Sequence, residues 1–234
     1  MNQNLQKTKG LVESVFDKVF DKYDLMNDLM SLGAHRLWKR ELLHIMRPSM
    51  GQSLIDVACG TGDIAKLFSG SVNNNCKILC VDSNQKMIDE GKKKLINLKN
   101  INWKKSNAEN LGVSNDEFDF YSISFGLRNT KDLNKSISEA YRVLKKGGKF
   151  VCLEFSKINN SQVNFFYKKY SQIIPLVGQL VVGDKKPYEY LVKSINQFVN
   201  QEELLEIMKK NKFKNCKCKN LSGGIVAIHY GWKI

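Results

Sequence analysis

The sequence is poor in the residues on which metal-binding, disulfide-rich and membrane-spanning proteins depend. Its three histidines stand far apart and its six cysteines include no C-x-x-C pair. We therefore expect no metal site and no disulfide framework, and free thiols typical of the cytoplasm. The longest apolar run, residues 173–182, is interrupted by Pro175 and Gly178 and is too short to cross a bilayer. The first ten residues lack the apolar core of a signal peptide.

Arginine is also scarce, although the net charge is +14. The lysines are scattered along the chain, many of them as adjacent pairs. This favours a solvated surface, with attraction to anionic lipid headgroups second and nucleic-acid binding third. Because the chain uses lysine by default, each arginine indicates a place where a planar, permanently charged group is needed. The five arginines are Arg36, Arg40, Arg47, Arg128 and Arg142.

The order of apolar segments predicts one α/β domain over residues 1–234. An apolar stripe at helical spacing runs through the first forty residues, and helical segments then alternate with short apolar runs. Strands are predicted at 53–58, 77–82, 101–105, 118–124 and 149–155, and Gly147-Gly148 is predicted to end the helix at 132–144. Two alternating segments near the end predict an antiparallel pair. We expect a Rossmann-like, seven-stranded, mostly parallel sheet with an antiparallel C-terminal strand and helices on both faces.

A glycine-rich turn, "DVACGTGD" (56–63), joins the first predicted strand to a helix. Gly60 and Gly62 allow a tight turn and a close approach to a ligand, and the helix start supplies unpaired N–H groups. Asp82 follows at the end of the second strand, where a carboxylate can accept both ribose hydroxyls. This combination predicts a site for an adenosine-type nucleoside.

The details of that turn favour a cationic cofactor over a dinucleotide. A dinucleotide site needs a third glycine where this chain has Ala65, and Asp63 would repel a pyrophosphate. Asp63 suits S-adenosyl-L-methionine (SAM), which carries a sulfonium and an amino group. The turn resembles the first motif of class I methyltransferases, and "SNAENL" (106–111) resembles their adenine-binding loop.

The stretch "SFGLRNT" (124–130) follows the fourth strand, where such enzymes place their substrate chemistry. It contains neither the N-P-P-Y of many amino methyltransferases nor the Pro-Cys nucleophile of cytosine C5 enzymes. Together with residues 15–39, "LEFSK" (153–157) and "SGGIVAIHYGWK" (222–233), it is similar to the ubiquinone/menaquinone biosynthesis C-methyltransferase family. The resemblance extends from Val15 to Lys233, although Cys59 stands where a glycine is common.

The resemblance implies SAM-dependent methylation of a ring carbon in a polyprenylated benzoquinol or naphthoquinol, and it does not separate the two substrates. It also implies an N-terminal helical substrate cap over residues 1–50 and a lid insertion over residues 156–200. Further implied partners are the membrane surface, which the protein would contact peripherally, and other quinone-biosynthesis enzymes. No nucleic acid is expected. The cofactor residues implied by the motifs are Asp56, Gly60, Thr61, Gly62, Asp82, Ser83, Asn107, Ala108 and Ser124.

Chemistry on a quinol ring requires a group that stabilises a phenolate, because loss of the hydroxyl proton makes the neighbouring carbon nucleophilic. Arg128, next to Asn129, can donate two hydrogen bonds to such an oxyanion, and an ordinary salt bridge is its alternative role. Asp63 is a candidate for the base, acting through a water, or for binding the amino group of the methionyl end.

Three further residues are candidates for the quinol pocket: His35, Tyr188 and His229. The alternative for His229 is a hydrogen-bonded core histidine, and the alternative for His35 is capping or packing. Other interpretations of the whole chain are methylation of another lipid, an RNA-binding methyltransferase and a non-catalytic nucleoside-binding subunit.

Overall fold

A computed structural model describes residues 28, 31, 33–158, 167, 170 and 186–234, with side chains from residue 189 onward in the last range. The described helices and strands are α1 (His35–Met46), β1 (Ser53–Val57), α2 (Asp63–Ser71), β2 (Lys77–Asp82), α3 (Gln85–Lys94), β3 (Ile101–Lys105), β4 (Phe118–Ser124), α4 (Leu133–Val143), β5 (Leu144–Phe155), α5 (Lys186–Gln197), α6 (Gln201–Lys210), β6 (Lys214–Leu221) and β7 (Val226–Trp232). A 3₁₀ turn, Leu127–Asn129, follows β4.

The strands form one seven-stranded sheet in the order β3-β2-β1-β4-β5-β7-β6. The pairs among β1 to β5 are parallel, and β7 runs antiparallel to both β5 and β6. This confirms the predicted mostly parallel sheet with its antiparallel C-terminal strand. The chain order reverses at β1, so the carboxyl ends of β1 and β4 lie side by side, where ligands bind in open α/β sheets.

Alternating residues of the central strands face two separate cores. Leu54 of β1 packs with α1 and α2, whereas Ile55, next along the strand, packs with α4 and α6. Because strands covered on both faces need apolar residues at every position, they appear in the sequence as continuous hydrophobic runs. Helices therefore cover both faces, as predicted.

One local prediction was wrong: Gly147-Gly148 does not end the preceding helix. That helix ends at Val143, and β5 begins at once with Leu144. The glycines lie at an irregularity within β5, where the register against β4 shifts. Gly147 has a φ of 81° and its N–H bonds to the carbonyl of Lys233, just beyond β7. The pair therefore permits a bulge in the strand, a role for which glycine is equally suited.

The two proposed accessory segments are described in part. From the 1–50 cap, α1 packs against the sheet, and most of the preceding apolar stripe lies outside the described residues. From the 156–200 segment, α5 contributes Leu191 and Ile195 to the same core. In the part of the chain that the structure describes, no helix has the length and apolar character needed to cross a membrane.

Candidate active site

The glycine-rich turn after β1 has the backbone that the sequence predicts. Ala58, Gly60 and Gly62 have φ values of 51°, 55° and 86°, in the left-handed region that favours glycine. A Cβ on Gly62 would also lie 2.8 Å from atoms of Leu95 and Trp103. The side chains of Leu95 and Trp103 therefore pack directly against the turn and leave no room for a side chain at Gly62. Gly62, at the start of α2, provides no side-chain cap for the first N–H groups of that helix.

Asp82 holds the turn from the neighbouring strand. Its carboxylate accepts hydrogen bonds from the backbone N–H groups of Gly60 and Asn84, both at 2.9 Å. Burial raises the pKa of Asp82, and these donors oppose the rise. The carboxylate lies at the end of β2, as predicted for a ribose-binding acid, and it also fixes the turn.

A pocket opens where β1 and β4 end side by side. Its lining residues are Lys39, Asp56, Ala58, Cys59, Gly60, Thr61, Asp63, Ile64, Ser124 and Phe125. The structure thus brings together Asp56, Gly60, Thr61, Asp63 and Ser124, which were predicted from separate motifs.

Asp56 is the most unusual of these residues because it is a buried carboxylate with one unpaired oxygen. Its Oδ1 accepts a hydrogen bond of 2.6 Å from the Ser122 hydroxyl, while Oδ2 has no partner in the described part of the chain. Burial raises the pKa of Asp56 to about 7, against the opposing effect of Ser122. The Ser124 hydroxyl is also buried without a partner among the described residues. Unpaired polar atoms in a pocket indicate a polar ligand.

Asp63, at the start of α2, lies between two lysines. Its Oδ2 is 2.7 Å from Nζ of Lys39, and its Oδ1 is 3.0 Å from Nζ of Lys94, which also donates to the Thr61 hydroxyl. Burial alone would raise the pKa of Asp63, but the two ammonium groups outweigh burial and hold the pKa well below its usual range. Asp63 is therefore a permanently ionised carboxylate and a weak base.

The chain turns sharply after β4 and approaches the β1 turn closely. Phe125 has a φ of 56°, so the sharp change in direction occurs at this residue and not at the glycine that follows it. Gly126 is needed for another reason, because a Cβ there would lie 2.3 Å from the Ala58 side chain. This close approach brings the "SFGLRNT" segment directly beside the cofactor turn.

Arg128 is buried in an ion pair, the alternative role considered for it. Its Nη1 donates to Oε1 of Glu154 at 2.7 Å and to the carbonyl of Phe125, and Nε donates to the Ser194 hydroxyl of α5 at 3.3 Å. Glu154 is also fully buried, and its other oxygen accepts from the backbone N–H of Arg128. The guanidinium is therefore held in one orientation between β5 and α5.

Polar aromatic residues lie next to Arg128. The Tyr190 hydroxyl of α5 donates to Oδ1 of Asn129 at 3.1 Å. Burial raises the pKa of Tyr167 to about 12, and the charge of Arg128 opposes this rise, which places Tyr167 within electrostatic range of the guanidinium. The Tyr190 hydroxyl thus lies beside the predicted catalytic pair, and Tyr167 is close enough for the Arg128 charge to oppose the rise in its pKa.

The remaining cofactor candidates lie near the ends of β2 and β3. Ser83 is exposed beside Asp82, Asn107 is exposed and Ala108 is buried, on a loop whose Ser106 N–H bonds to the carbonyl of Asp82. This bond joins the predicted adenine loop to the predicted ribose acid. It places these three candidates on the same edge of the sheet as the pocket.

The three candidates for the quinol pocket have different outcomes. His35 bonds through Nε2 to Asp28 at 2.8 Å, and burial lowers its pKa. His229 bonds through Nε2 to the carbonyl of Gln201 at 3.1 Å, and burial lowers its pKa to about 4, as for the core histidine considered as its alternative. Neither histidine is among the lining residues of the described pocket. The side chain of Tyr188 lies outside the described residues.

Sequence reasoning missed two charged residues at the site, Lys39 and Glu154. Lys39 lies on the buried face of α1 with Trp38 and Leu42, so a lysine in phase with an apolar stripe was the available signal. Glu154 is the only charged residue in the buried second half of β5, residues 150–155. An acid in a buried run requires a partner, and Arg128 is that partner.

Two further expectations from the sequence concern the cysteines and metal binding. All six cysteines are free thiols. No group of three or more His, Cys, Asp or Glu side chains suited to a metal ion occurs among the residues that the structure describes.

The sheet order, the glycine turn and the acids at the ends of β1 and β2 define a class I SAM-dependent methyltransferase. Solved structures share this fold. One SAM-dependent methyltransferase from Thermotoga maritima is 20% identical, with a TM-score of 0.66 over 94% of this chain and 99% of its own. The phosphoethanolamine N-methyltransferase 2 of Haemonchus contortus, solved with S-adenosyl-L-methionine, is 16% identical, with a TM-score of 0.63 over 84% of this chain and 52% of its own.

Within that class, the chain belongs to the ubiE/COQ5 methyltransferase family, whose model it matches over residues 2–233. Curated relatives align with this chain over nearly its whole length. The ubiquinone/menaquinone biosynthesis C-methyltransferase UbiE of Rickettsia akari is 49% identical over 97% of this chain and 94% of its own. The enzyme of the same name from Rickettsia prowazekii is 48% identical over the same shares. The family predicted from the sequence motifs is confirmed.

Proposed function

We propose that this protein methylates a ring carbon of a polyprenylated quinol, with SAM as methyl donor, in ubiquinone or menaquinone biosynthesis. The observation that carries the proposal is the 49% identity over almost the whole chain to an enzyme named for that reaction. The pocket supports it, since four of the residues expected for the cofactor line it: Asp56, Gly60, Thr61 and Ser124. Phe125, which also lines the pocket, accepts a hydrogen bond from Arg128 through its carbonyl.

The pocket suits the proposed cofactor on its own chemistry. When bound, SAM supplies an electrophilic methyl group on a sulfonium. Among the described residues, Oδ2 of Asp56 and the hydroxyl of Ser124 are buried and have no hydrogen-bond partner, so both can bind a polar ligand. Asp82 and the Gly60 turn would hold the ribose, with Ser83, Asn107 and Ala108 on the adenine side and Thr61 and Gly62 beside the methionyl end.

We assign Asp63 to the amino group of the cofactor and not to proton abstraction. A general base works best when its pKa is near the operating pH. The pKa of Asp63 is held far below that range by two lysines, so the carboxylate has little affinity for a proton. The same permanent negative charge suits an ammonium ligand.

Arg128 and Asn129 would orient the quinol and stabilise the oxyanion that develops on it. Glu154 neutralises the formal charge of the guanidinium, so Arg128 would act through directed N–H donors more than through net charge. Because the fork is fixed by Glu154, Phe125 and Ser194, little reorganisation is needed during the reaction. His35, Tyr188 and His229 remain weaker proposals for the acceptor side.

A polyprenyl tail resides in a bilayer, so the enzyme must approach a membrane surface. We propose peripheral association on the cytoplasmic side, with the 1–50 cap and the 156–200 lid next to the tail. Exposed lysines at the sheet edge, Lys214, Lys217 and Lys219, support contact with anionic headgroups. Association with other quinone-biosynthesis enzymes would shorten the path of the apolar intermediates between active sites.

Mass spectrometry of lipid extracts tests the proposal. A strain lacking this protein is expected to accumulate quinones short of one ring methyl group, and the restored chain should remove them. The accumulated ring system, benzoquinone or naphthoquinone, identifies the substrate. An unchanged quinone profile in the deletion strain would contradict the proposed reaction.

A further inference from the structure

Lys39 is a buried lysine that lines the cofactor pocket from α1. Its side chain is 9% exposed and its ammonium lies 2.7 Å from Oδ2 of Asp63. Its neighbours on the buried face of the helix include Trp38 and Leu42. A lysine in such a position loses most of its hydration, which has to be offset by specific interactions.

Neutralising Asp63 does not account for the burial of Lys39. The other oxygen of Asp63 already pairs with Lys94 at 3.0 Å, and Lys94 is 32% exposed and keeps part of its hydration. The desolvation of a buried lysine can exceed the attraction within its ion pair, so the contact with Asp63 alone is a poor explanation for burying Lys39. The position of Lys39 therefore indicates that its ammonium interacts with a ligand bound in the pocket.

The charged residues that line the pocket match a zwitterion. They are two carboxylates, Asp56 and Asp63, and one ammonium, that of Lys39. An ammonium has three N–H donors, and the contact with Asp63 uses one of them. An α-amino acid group carries an ammonium that requires acceptors and a carboxylate that requires donors, and these lining residues offer both.

We propose that Lys39 binds the α-carboxylate of the methionyl end of the cofactor, while Asp63 beside it accepts hydrogen bonds from the α-ammonium. This inference rests on the proposed function, because it takes SAM or its product as the ligand. It makes α1 part of the cofactor site and not only part of the expected substrate cap. Occupation of the site would then hold α1 against the start of α2.

Calorimetric titration with two ligands tests the proposal without turnover. The probes are S-adenosylhomocysteine and its decarboxylated analogue, S-adenosyl-3-thiopropylamine, which retains the amine and lacks the carboxylate. The wild-type protein is expected to bind the first at least about tenfold more tightly, as for one charge-assisted hydrogen bond. Lys39→Met should bind the two ligands with about equal affinity, whereas Lys39→Arg should retain part of the preference for S-adenosylhomocysteine.

Lys94→Met is the matched control because it removes the other cation from the same carboxylate. Both affinities can fall in this variant, but the ratio between the two ligands should equal that of the wild type. Equal binding of the two ligands by the wild type, a ratio unchanged in Lys39→Met, or a ratio lost equally in both variants would each overturn the assignment.

Failure of this inference is distinguishable from failure of the proposed function. If wild-type protein binds S-adenosylhomocysteine but does not distinguish the decarboxylated analogue, only the role of Lys39 is overturned. If it binds neither ligand, the cofactor itself is wrong. The wild-type titrations decide this without dependence on how well any variant folds.

Discussion

Two buried charge clusters lie at neighbouring strand ends, and they differ in how completely they are paired. The cofactor cluster, Lys39, Asp56 and Asp63, lines an open pocket and has two carboxylates against one ammonium. The arginine cluster, Arg128, Glu154 and Ser194, is closed. Both oxygens of Glu154 accept hydrogen bonds, whereas Oδ2 of Asp56 accepts none from the described residues.

The difference indicates that the cofactor cluster binds a ligand directly, whereas the arginine cluster is built to hold one side chain in a fixed orientation. An incompletely paired buried carboxylate costs stability unless a ligand completes it. An arginine fixed by Glu154, Phe125 and Ser194 is instead held in one orientation, which is what an oxyanion donor requires. Changes in the arginine cluster should therefore affect folding and turnover, and changes in the cofactor cluster should affect ligand binding.

Glu154→Ala should have the largest effect because it leaves the Arg128 charge buried without its carboxylate. The expected loss is about 3–5 kcal/mol in the free energy of unfolding, measured by urea denaturation. Glu206→Ala is the control, since Glu206 pairs with Lys209 on the exposed surface of α6, and no change in midpoint is expected there. Equal midpoints for wild type and Glu154→Ala would contradict the pair's structural role.

Arg128→Lys keeps the charge but removes the planar fork. Turnover should fall about a hundredfold, as when an oxyanion donor is removed, while the affinity for S-adenosylhomocysteine stays within about twofold. Turnover is measured by the appearance of methylated quinol. Arg142→Lys, in the pair with Glu139 on α4, should retain wild-type turnover. A loss of cofactor affinity in Arg128→Lys would move Arg128 into the cofactor site.

Asp82→Ala should do the reverse and raise the dissociation constant for S-adenosylhomocysteine at least about tenfold. The variant loses the proposed ribose acceptor and also the bond to the Gly60 N–H that fixes the turn. Asp119→Ala is a suitable control because Asp119 accepts from Ser53 at the opposite end of β1. Unchanged affinity in Asp82→Ala would exclude the ribose assignment.

The pH dependence of binding provides the smallest and most specific test of the cofactor cluster. Asp56 has a pKa of about 7, so its carboxyl group is largely neutral below that pH and becomes an acceptor for an ammonium above it. Affinity for S-adenosylhomocysteine should rise about fourfold from about pH 6.5 to about pH 8. Asp56→Asn should abolish this dependence; a profile with the same slope would assign it to another group.

The fold was largely predictable because strands buried on both faces carry an unbroken apolar signal. β2, β3 and β4 begin and end where the sequence indicates. The error at Gly147-Gly148 has a physical cause, since a glycine pair permits either a helix end or a strand bulge. Only the pairing with the residues after β7 decides between them.

A site residue was predictable where a short sequence motif shows both the residue and the end of the strand or start of the helix on which it lies. Asp56, Asp82 and Ser124 stand at or next to strand ends and Asp63 begins α2, and the structure places all four at one edge of the sheet. The pairing of Arg128 with Glu154 joins residues 26 positions apart on different elements, and no local pattern records it. The sequence likewise gives no indication that His229 bonds to the Gln201 carbonyl.

The most direct test of the account is methyl transfer by the purified protein. SAM and a short-tailed, chemically reduced demethyl quinol are incubated with the enzyme under anaerobic conditions, and the product is characterised by mass spectrometry and NMR. We expect one new methyl group on a ring carbon and an equimolar amount of S-adenosylhomocysteine. Methylation of a ring oxygen, or no transfer to either benzoquinol or naphthoquinol, would contradict it.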